Sequence, residues 1–224
     1  MEKFFTNAFE NAPEEVKESL FKQLFMQDDS DYSMEVRLQY YKKVLRHMGE
    51  NVYIEGNVKI VNPQWVSIGD GVRISGGATL IARGEGGITI GNNTQIKDNV
   101  LLDTESAETG YINIENNVYI GTGTTLFGHV GLDIYEYSLL AQNITCTPYS
   151  HIFSNPDDMI ICQGGHTLPV KIGPDAYIGM GVDVMYTGSV GKGSIVGAGS
   201  VVVKEIPPYS VAVGNPAKVI KERK

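Results

Sequence analysis

The amino-acid sequence predicts a mainly β protein made of stacked triangular coils, and three observations support this fold class. Aliphatic residues recur every six positions over most of the chain, whereas a helix repeats at 3.6 residues and a strand alternates at 2. Glycine contributes 26 of 224 residues without a low-complexity run, which indicates many turns. Segments with helical periodicity occur only near the start of the sequence.

The six-residue ladder is unbroken near the end of the sequence. Its rungs there are Ile172, Ile178, Val184, Val190, Val196 and Val202. Earlier rungs are Ile68, Ile74, Leu80, Ile90, Ile96, Leu102, Ile114, Ile120, Leu126, Ile134, Leu140 and Cys146. Each unit of six is read as a short strand and a corner, and three units close a coil of about 18 residues. Stacked coils then bury a continuous aliphatic column, each rung contributing roughly 1.5 to 3 kcal/mol.

The ladder changes phase at four places, where extra residues are expected to bulge from corners. The next rung comes ten residues after Leu80, twelve after Leu102 and eight after Leu126. We interpret the step of twelve as one ordinary unit without its apolar rung. The longest break follows Cys146 and predicts an irregular excursion over residues 147–171, within a β-helix spanning 51–205.

Residues 1–50 are predicted to form a helical cap over the exposed end of the column. A first helix over 13–26 begins at Pro13. Its apolar face would carry Val16, Leu20 and Leu24. A second helix would begin after Ser33 as N-cap and end at Gly49, with His47 on its surface. At the other end, three prolines stop the coils and leave a C-terminal tail over 206–224.

Charge and composition exclude several classes of partner. A net charge of -8 argues against nucleic acid and against anionic membrane surfaces. The sequence has no basic start followed by an apolar run, and no apolar window long enough for stable membrane insertion, so a cytoplasmic protein is expected. Cys146 and Cys162 are expected to be free thiols, and no metal site is implied.

The stretch PVKIGPDAYIGMGVDVMYTGSVGKGSIVGAGSVVVKEIPPYSVAVGNPAKVIKERK resembles the hexapeptide-repeat acyltransferases. The similar branch includes galactoside and maltose acetyltransferases and many polysaccharide O-acetyltransferases, and the resemblance covers about residues 54–221. It implies a left-handed parallel β-helix, although the general crossover rule favours the opposite hand. It also implies acetyl-CoA as acyl donor and a homotrimer whose active sites use residues from two chains.

The resemblance also implies roles for individual residues. In the family, the catalytic histidine opens a loop that closes at a Pro-aliphatic-x-Ile-Gly step; here TPYSHIF opens the excursion and LPVKIG closes it, so His151 matches. A histidine suits a general base because its ordinary pKa is near 6.5. By position, Gly179 and Ala198 would offer backbone contacts to coenzyme A. Lys204 and Lys221 would face its phosphates.

The other histidines are weaker candidates. His129 lies at a phase break and could line a cleft between subunits, and His166 lies near the return to the column. A zinc hydratase resembling γ-type carbonic anhydrase would need three histidines, two of them in a close H-x-x-x-x-H pair. The spacing of His129, His151 and His166 does not fit that site.

Three functions stay open at this point. The first is acetyl transfer from acetyl-CoA to a hydroxyl of a sugar or polysaccharide precursor, by direct attack with His151 as base. The second is N-acetylation of a nucleotide-linked amino sugar; such relatives often have an extra N-terminal βαβ unit, which this sequence does not show. The third is a non-catalytic scaffold, because fold alone does not establish chemistry.

Overall fold

The computed structural model describes residues 13, 16, 17, 19 and 25–224. Within this part, helix α1 (Asp31–Val44) precedes a β-solenoid of seven coils. Each coil contributes one short strand to each of three parallel sheets, so the solenoid is a triangular prism. The predicted parallel β-helix of hexapeptide repeats is confirmed.

The strands of each sheet come from successive coils. The first sheet contains β1 (His47–Met48), β4 (Val66–Ile68), β7 (Ile88–Ile90), β10 (Ile112–Ile114), β13 (Leu132–Ile134), β18 (Val170–Ile172), β21 (Ser189–Val190) and β24 (Glu205–Ile206). The second contains β2 (Tyr53–Ile54), β5 (Arg73–Ile74), β8 (Gln95–Ile96), β11 (Tyr119–Ile120), β14 (Leu139–Leu140), β19 (Tyr177–Ile178), β22 (Ile195–Val196), β25 (Ser210–Val213) and β26 (Lys218–Glu222). The third contains β3 (Lys59–Val61), β6 (Thr79–Ile81), β9 (Leu101–Asp103), β12 (Thr125–Phe127), β15 (Thr145–Cys146), β20 (Asp183–Val184) and β23 (Val201–Val202).

Two antiparallel pairings interrupt this regular pattern. Strand β26 pairs with β25 and so covers the C-terminal edge of the second sheet. The excursion forms a hairpin of β16 (Tyr149–His151) and β17 (Gly165–Thr167) outside the prism. Two short 3-10 helices, Pro63–Trp65 and Ile160–Cys162, complete the elements described.

The core is the aliphatic column that the ladder predicts. All the predicted rungs are buried, and none is more than 2% exposed. Rungs of successive coils pair in register within each sheet; in the third sheet, for example, Leu102 lies opposite Leu126 and Leu126 opposite Cys146. Because every rung except Val202, which lies on the last strand of the third sheet, pairs with strands on both sides, the column is continuous and holds the corners in fixed positions.

Many corners turn through the left-handed backbone region, and asparagine as well as glycine adopts this conformation. Positive φ angles occur at Asn51, Asn57, Asn62, Asn93, Asn99, Asn117 and Asn143. Asparagine tolerates this region because its short amide can bond locally to the backbone. The Oδ1 atom of Asn92 accepts from the Asp70 backbone N–H at 2.8 Å, and that of Asn116 accepts from Asn92 at 2.7 Å, which links successive coils.

All the long insertions lie at one edge of the prism, which we call the third corner: the turn from a strand of the third sheet to the next strand of the first. It contains residues 82–87, 104–111, 128–131 and 147–169. The interpretation of the twelve-residue step as an ordinary unit is wrong. Residues 104–111 contain no strand, because β10 already pairs with β7 and β13 and leaves no ladder position for another.

The predicted second helix exists, but both its ends differ from the prediction. Ser30, not Ser33, is the N-cap of α1, and its hydroxyl accepts from the Ser33 backbone N–H at 3.3 Å. The helix ends at Val44, and His47 lies exposed on β1 because the first coil already begins there. Of the predicted first helix, Leu20 and Leu24 lie outside the described residues.

Helix α1 is joined to the column through Arg37, which is only 1% exposed. Its Nε atom donates to the Ile54 carbonyl at 3.2 Å, and Nη1 donates to the carbonyls of Phe25 and Asp28. A buried guanidinium is tolerated here because backbone carbonyls and the Asp29 carboxylate, at 3.5 Å, satisfy its donors. Among the described helices, none combines the length and the apolar character needed to span a membrane.

Candidate active site

Four rings lie in sequence along the third corner, two from each of two consecutive coils. The rings of Phe127 and His129 have centroids 6.2 Å apart, and His129 stacks on Tyr149 at 5.0 Å with an interplanar angle of 18°. Tyr149 meets His151 edge to face at 5.0 Å and 87°. The column therefore brings two of the histidines named from sequence to one surface.

His151 lies exposed on β16, and one of its ring nitrogens is engaged. Its Nδ1 atom is 3.4 Å from the hydroxyl oxygen of Tyr149. Within the described residues, Nε2 has no hydrogen-bond partner, and the residue as a whole is exposed. Opposite His151 in the hairpin lies Gly165, and the pairing extends through Ser150 and His166 to Tyr149 and Thr167. The hairpin thus holds His151 on a strand rather than on a free loop.

His129 is partly buried, and its Nδ1 atom is enclosed without a hydrogen-bond partner in the part of the chain described. Burial lowers the pKa of His129, and the negative charges of Glu105 and Asp103 oppose this shift. The ring is therefore favoured in its neutral form.

His166 lies opposite Ser150 in the hairpin, so its side chain is on the other face from Tyr149 and His151. Its ring is exposed and lies parallel to that of Tyr186, with centroids 6.2 Å apart and an interplanar angle of 11°. Tyr186 follows β20 at the third corner of the next coil. Three of the four histidines therefore lie along one edge of the prism, and His47 alone lies elsewhere.

Polar groups adjoin the ring series on the earlier coils. The Arg83 guanidinium donates to both carboxylate oxygens of Asp103. Farther along, Tyr111 donates to the carboxylate of Asp133 at 3.1 Å. The hydroxyl of Thr109 donates to the His129 carbonyl at 2.7 Å, so the 104–111 insertion rests on the coil that carries His129. The 104–111 insertion therefore lies beside His129, whose ring stacks on Tyr149.

The residues expected to contact coenzyme A fall in three places. Gly179 and Ala198 are neighbours at the turn from the second sheet to the third; a Cβ on Gly179 would lie 2.6 Å from the Ala198 nitrogen. Lys204 is exposed at the third corner, two coils beyond the coil from which His151 projects. Lys221 lies on β26, in a groove of about 610 Å³. That groove is lined by Ile195, Val211, Lys221, Glu222, Arg223 and Lys224.

A single chain thus brings Gly179 next to Ala198, and Lys204 to the same edge as His151. It does not bring Lys221 to His151, because β26 lies at the end of the second sheet and His151 lies at the edge between the third sheet and the first.

Two residues near these places were not found from sequence. Tyr149 precedes His151 by two positions, a spacing that puts both side chains on one face of a strand; this signal was available once the segment was read as a strand. Arg223 donates to the Asp175 carboxylate and to the Gly193 carbonyl, both at 2.9 Å, and carried no motif.

The two cysteines lie in different environments. Cys146 is a fully buried rung, as predicted, and burial raises the pKa of its thiol to about 12. Cys162 is exposed in the excursion, and both thiols are free. In the range that the structure describes, His, Cys, Asp and Glu side chains form no group of three that could hold a metal ion.

Comparison with known proteins finds relatives that are named as acetyltransferases. A protein of Mycobacterium tuberculosis named as an acetyltransferase is 31% identical over 167 residues, which cover 75% of this chain and 53% of that protein. A protein of Staphylococcus aureus, also named as an acetyltransferase, is 50% identical over 54 residues, 24% of this chain and 27% of its own length. The chain thus spans about half the length of the first relative and about a quarter of the second. No protein-family profile matches the sequence.

The structure is similar to AntD, an N-acyltransferase from Bacillus cereus that was crystallised with dTDP and 3-hydroxybutyryl-CoA. The TM-score is 0.60 at 22% identity, covering 89% of this chain and 92% of AntD. The fold is that of a hexapeptide-repeat β-helix protein. The resemblance to acyltransferases built on this fold, predicted from the repeat and the C-terminal stretch, is confirmed by these relatives.

Proposed function

We propose that this protein transfers an acetyl group from acetyl-CoA to a hydroxyl of a sugar or polysaccharide precursor, with His151 as general base. One observation carries the proposal: the exposed His151 is held on β16 at the edge of a rigid column, with Nδ1 engaged and Nε2 without a hydrogen-bond partner among the described residues. A general base needs a free ring nitrogen within hydrogen-bond reach of the proton it removes.

The chemical step is a direct transfer. The acceptor oxygen attacks the thioester carbonyl carbon while His151 Nε2 takes the hydroxyl proton. The tetrahedral intermediate then collapses, the carbon–sulfur bond breaks, and the protonated histidine gives its proton to the departing thiolate. No acyl-enzyme forms, so neither the buried Cys146 nor the exposed Cys162 is needed as a nucleophile.

The donor site is proposed at the C-terminal coils. Gly179 and Ala198 present backbone at a close-packed corner, where a bare backbone can approach a ligand. The groove around Lys221 has an apolar floor beside cationic side chains, which suits a nucleotide that carries phosphates. Lys204 would add a further cation at the edge that carries His151. The bound acyl-CoA reported for AntD agrees with acetyl-CoA as the expected donor.

A homotrimer would bring these parts together. Lys221 and His151 lie on different sides of one prism, so a donor bound near Lys221 reaches a histidine most simply on a neighbouring chain. The excursion and the second sheet expose large apolar side chains suited to such a contact. They are Phe153, Met159, Ile160 and Ile161 in the excursion, and Leu139 and Tyr177 on the sheet.

An amine of a nucleotide-linked sugar is the second candidate acceptor, and the comparison with AntD favours it. The alignment covers 92% of AntD, so an N-acyltransferase can be built almost entirely of the architecture seen here. The argument that the sequence raised against N-acetylation is therefore weaker.

The test is thiol release from acetyl-CoA by the purified protein against a panel of sugars, nucleotide sugars and nucleotide-linked amino sugars. Release that depends on a hydroxyl acceptor supports the first function, and release that depends on an amine supports the second. Binding of acetyl-CoA without release for any acceptor class, or no binding at all, would count against the proposed O-acetylation, and no binding would favour a scaffold. His47→Ala, a change at an exposed site on β1, is the matched control for His151→Ala.

A further inference from the structure

The Tyr149 ring is packed both on one face and at its outer edge. One face of its ring stacks on His129 at 5.0 Å, and the chain of Gly165 passes close to its outer edge. A side chain at Gly165 would collide with Cε2, Cζ and Oη of the tyrosine. Gly165 pairs with His151 in the hairpin, and its lack of a side chain leaves the space that the Tyr149 ring occupies.

This arrangement fixes the tyrosine hydroxyl at one nitrogen of His151. The Oη atom lies 3.4 Å from Nδ1, and the two side chains share a face of β16. In a neutral histidine one ring nitrogen carries the proton and the other accepts, and the Tyr149 hydroxyl can pair with Nδ1 either as acceptor or as donor. If Nδ1–H donates to Tyr149, Nε2 keeps its lone pair and can act as a base.

We propose that Tyr149 is a positioning residue that accepts a hydrogen bond from Nδ1–H of His151 and so sets the tautomer with a basic Nε2. The inference rests on the proposed function, because it gives His151 the role of base. His129 and Gly165 act indirectly, because they pack against the face and the edge of the Tyr149 ring and so fix its position. No group on the opposite strand competes for Nδ1, since Gly165 has no side chain.

The first experiment measures the tautomer itself. Long-range ¹H–¹⁵N spectra of the whole protein separate a protonated ring nitrogen from a bare one, and His151→Gln assigns the signals among only four histidines. The wild type should show His151 protonated at Nδ1, and Tyr149→Phe should move the population towards Nε2–H. Tyr137→Phe, which removes an exposed hydroxyl at a distant corner, should leave the spectrum unchanged. A wild-type His151 protonated at Nε2 would overturn the proposal.

The second experiment uses turnover. Tyr149→Phe should lower kcat about fivefold to tenfold with little change in KM, because one hydrogen bond to the base is lost and no substrate contact is removed. Gly165→Ala displaces the ring and should give a similar loss. The double variant should be little worse than either single variant, since both act through one contact. Additive losses would mean that the two changes act independently and would contradict the proposal.

The two experiments separate the failure of this inference from that of the proposed function. If His151→Ala abolishes acetyl transfer while Tyr149→Phe changes neither tautomer nor kcat, His151 is the base and Tyr149 has no positioning role. If His151→Ala retains wild-type turnover, the base assignment itself fails, whatever the tautomer.

Discussion

Arg83 and Asp103 form a two-point ion pair across consecutive coils at the third corner. The Arg83 Nε atom donates to Oδ1 at 2.7 Å, and Nη2 donates to Oδ2 at 2.6 Å. Asp103 is only 4% exposed, and its Oδ1 also accepts from the Glu105 backbone N–H. This pair ties the 82–87 insertion to the end of β9, where the 104–111 insertion begins, and so supports the corner beside His129.

Replacing Arg83 by alanine should lower the free energy of unfolding by about 1 to 3 kcal/mol, because a buried carboxylate loses two charged donors. Urea denaturation measures the loss. Arg73→Ala is the control: that guanidinium packs over the Tyr53 ring at 4.8 Å, and its removal should cost about 1 kcal/mol or less. Equal, small losses for both variants would mean that the Arg83 pair does not support the corner.

The inward and outward positions of one strand should differ sharply in their tolerance of change. On β8, Ile96 points into the column and is fully buried, whereas Gln95 points outward and is exposed. Ile96→Ala should lower the free energy of unfolding by about 2 to 5 kcal/mol, through lost burial and the cavity left behind. Gln95→Ala should change it by less than about 0.5 kcal/mol. Similar values in chemical denaturation would contradict the continuous column.

His129 should make stability depend on pH just below neutrality. Burial lowers the pKa of His129 in the folded state, against the opposing charges of Glu105 and Asp103. The unfolded chain therefore binds this proton at higher pH than the folded chain, and stability falls as pH drops below about 6.5 until the folded pKa is passed.

Unfolding curves at about pH 7.5 and about pH 5.5 test this linkage. His129→Gln should lose less stability on acidification than the wild type. His47→Gln, a change at an exposed site on β1, should retain the wild-type loss. The same acid dependence in His129→Gln and the wild type would rule out the assignment.

Lys221 should affect donor binding rather than the chemical step. Lys221→Ala should raise the KM for acetyl-CoA about twofold to fivefold with kcat unchanged, because an exposed charge contacts a phosphate equally in the ground state and the transition state. The effect should shrink at high salt. Lys171→Ala removes an exposed charge from β18 and should not change KM. A fall in kcat without a rise in KM would place Lys221 in a different role.

The rungs of the column could be predicted because aliphatic residues recur at a fixed spacing of six, and that spacing alone determines which side chains point into the column. Leu102 and Ile114 could be assigned to the ladder, but the sequence did not show that the residues between them form a turn. The turn becomes evident when the six-residue units are grouped in threes, one group for each coil. Every break in the ladder then comes after a rung of the third sheet, so the insertions stack at one corner.

Other features depend on a choice between two local structures that are both compatible with the sequence. Ser30 and Ser33 are both suitable N-caps, and the Asp28 carboxylate accepts from both hydroxyls, so residue type alone does not distinguish them. The pairing of His151 with Tyr149 depends on the excursion forming a strand. Its lack of six-residue periodicity did not indicate this.

The most direct test of the account separates donor binding from chemistry at His151. Coenzyme A affinity and single-turnover acetyl transfer would be measured for the wild type, His151→Ala and His47→Ala, with the acceptor that the panel identifies. We predict unchanged affinity for coenzyme A in all three proteins and a rate about 10² to 10⁴ times lower in His151→Ala alone. Acetyl transfer at the wild-type rate in His151→Ala would contradict the account.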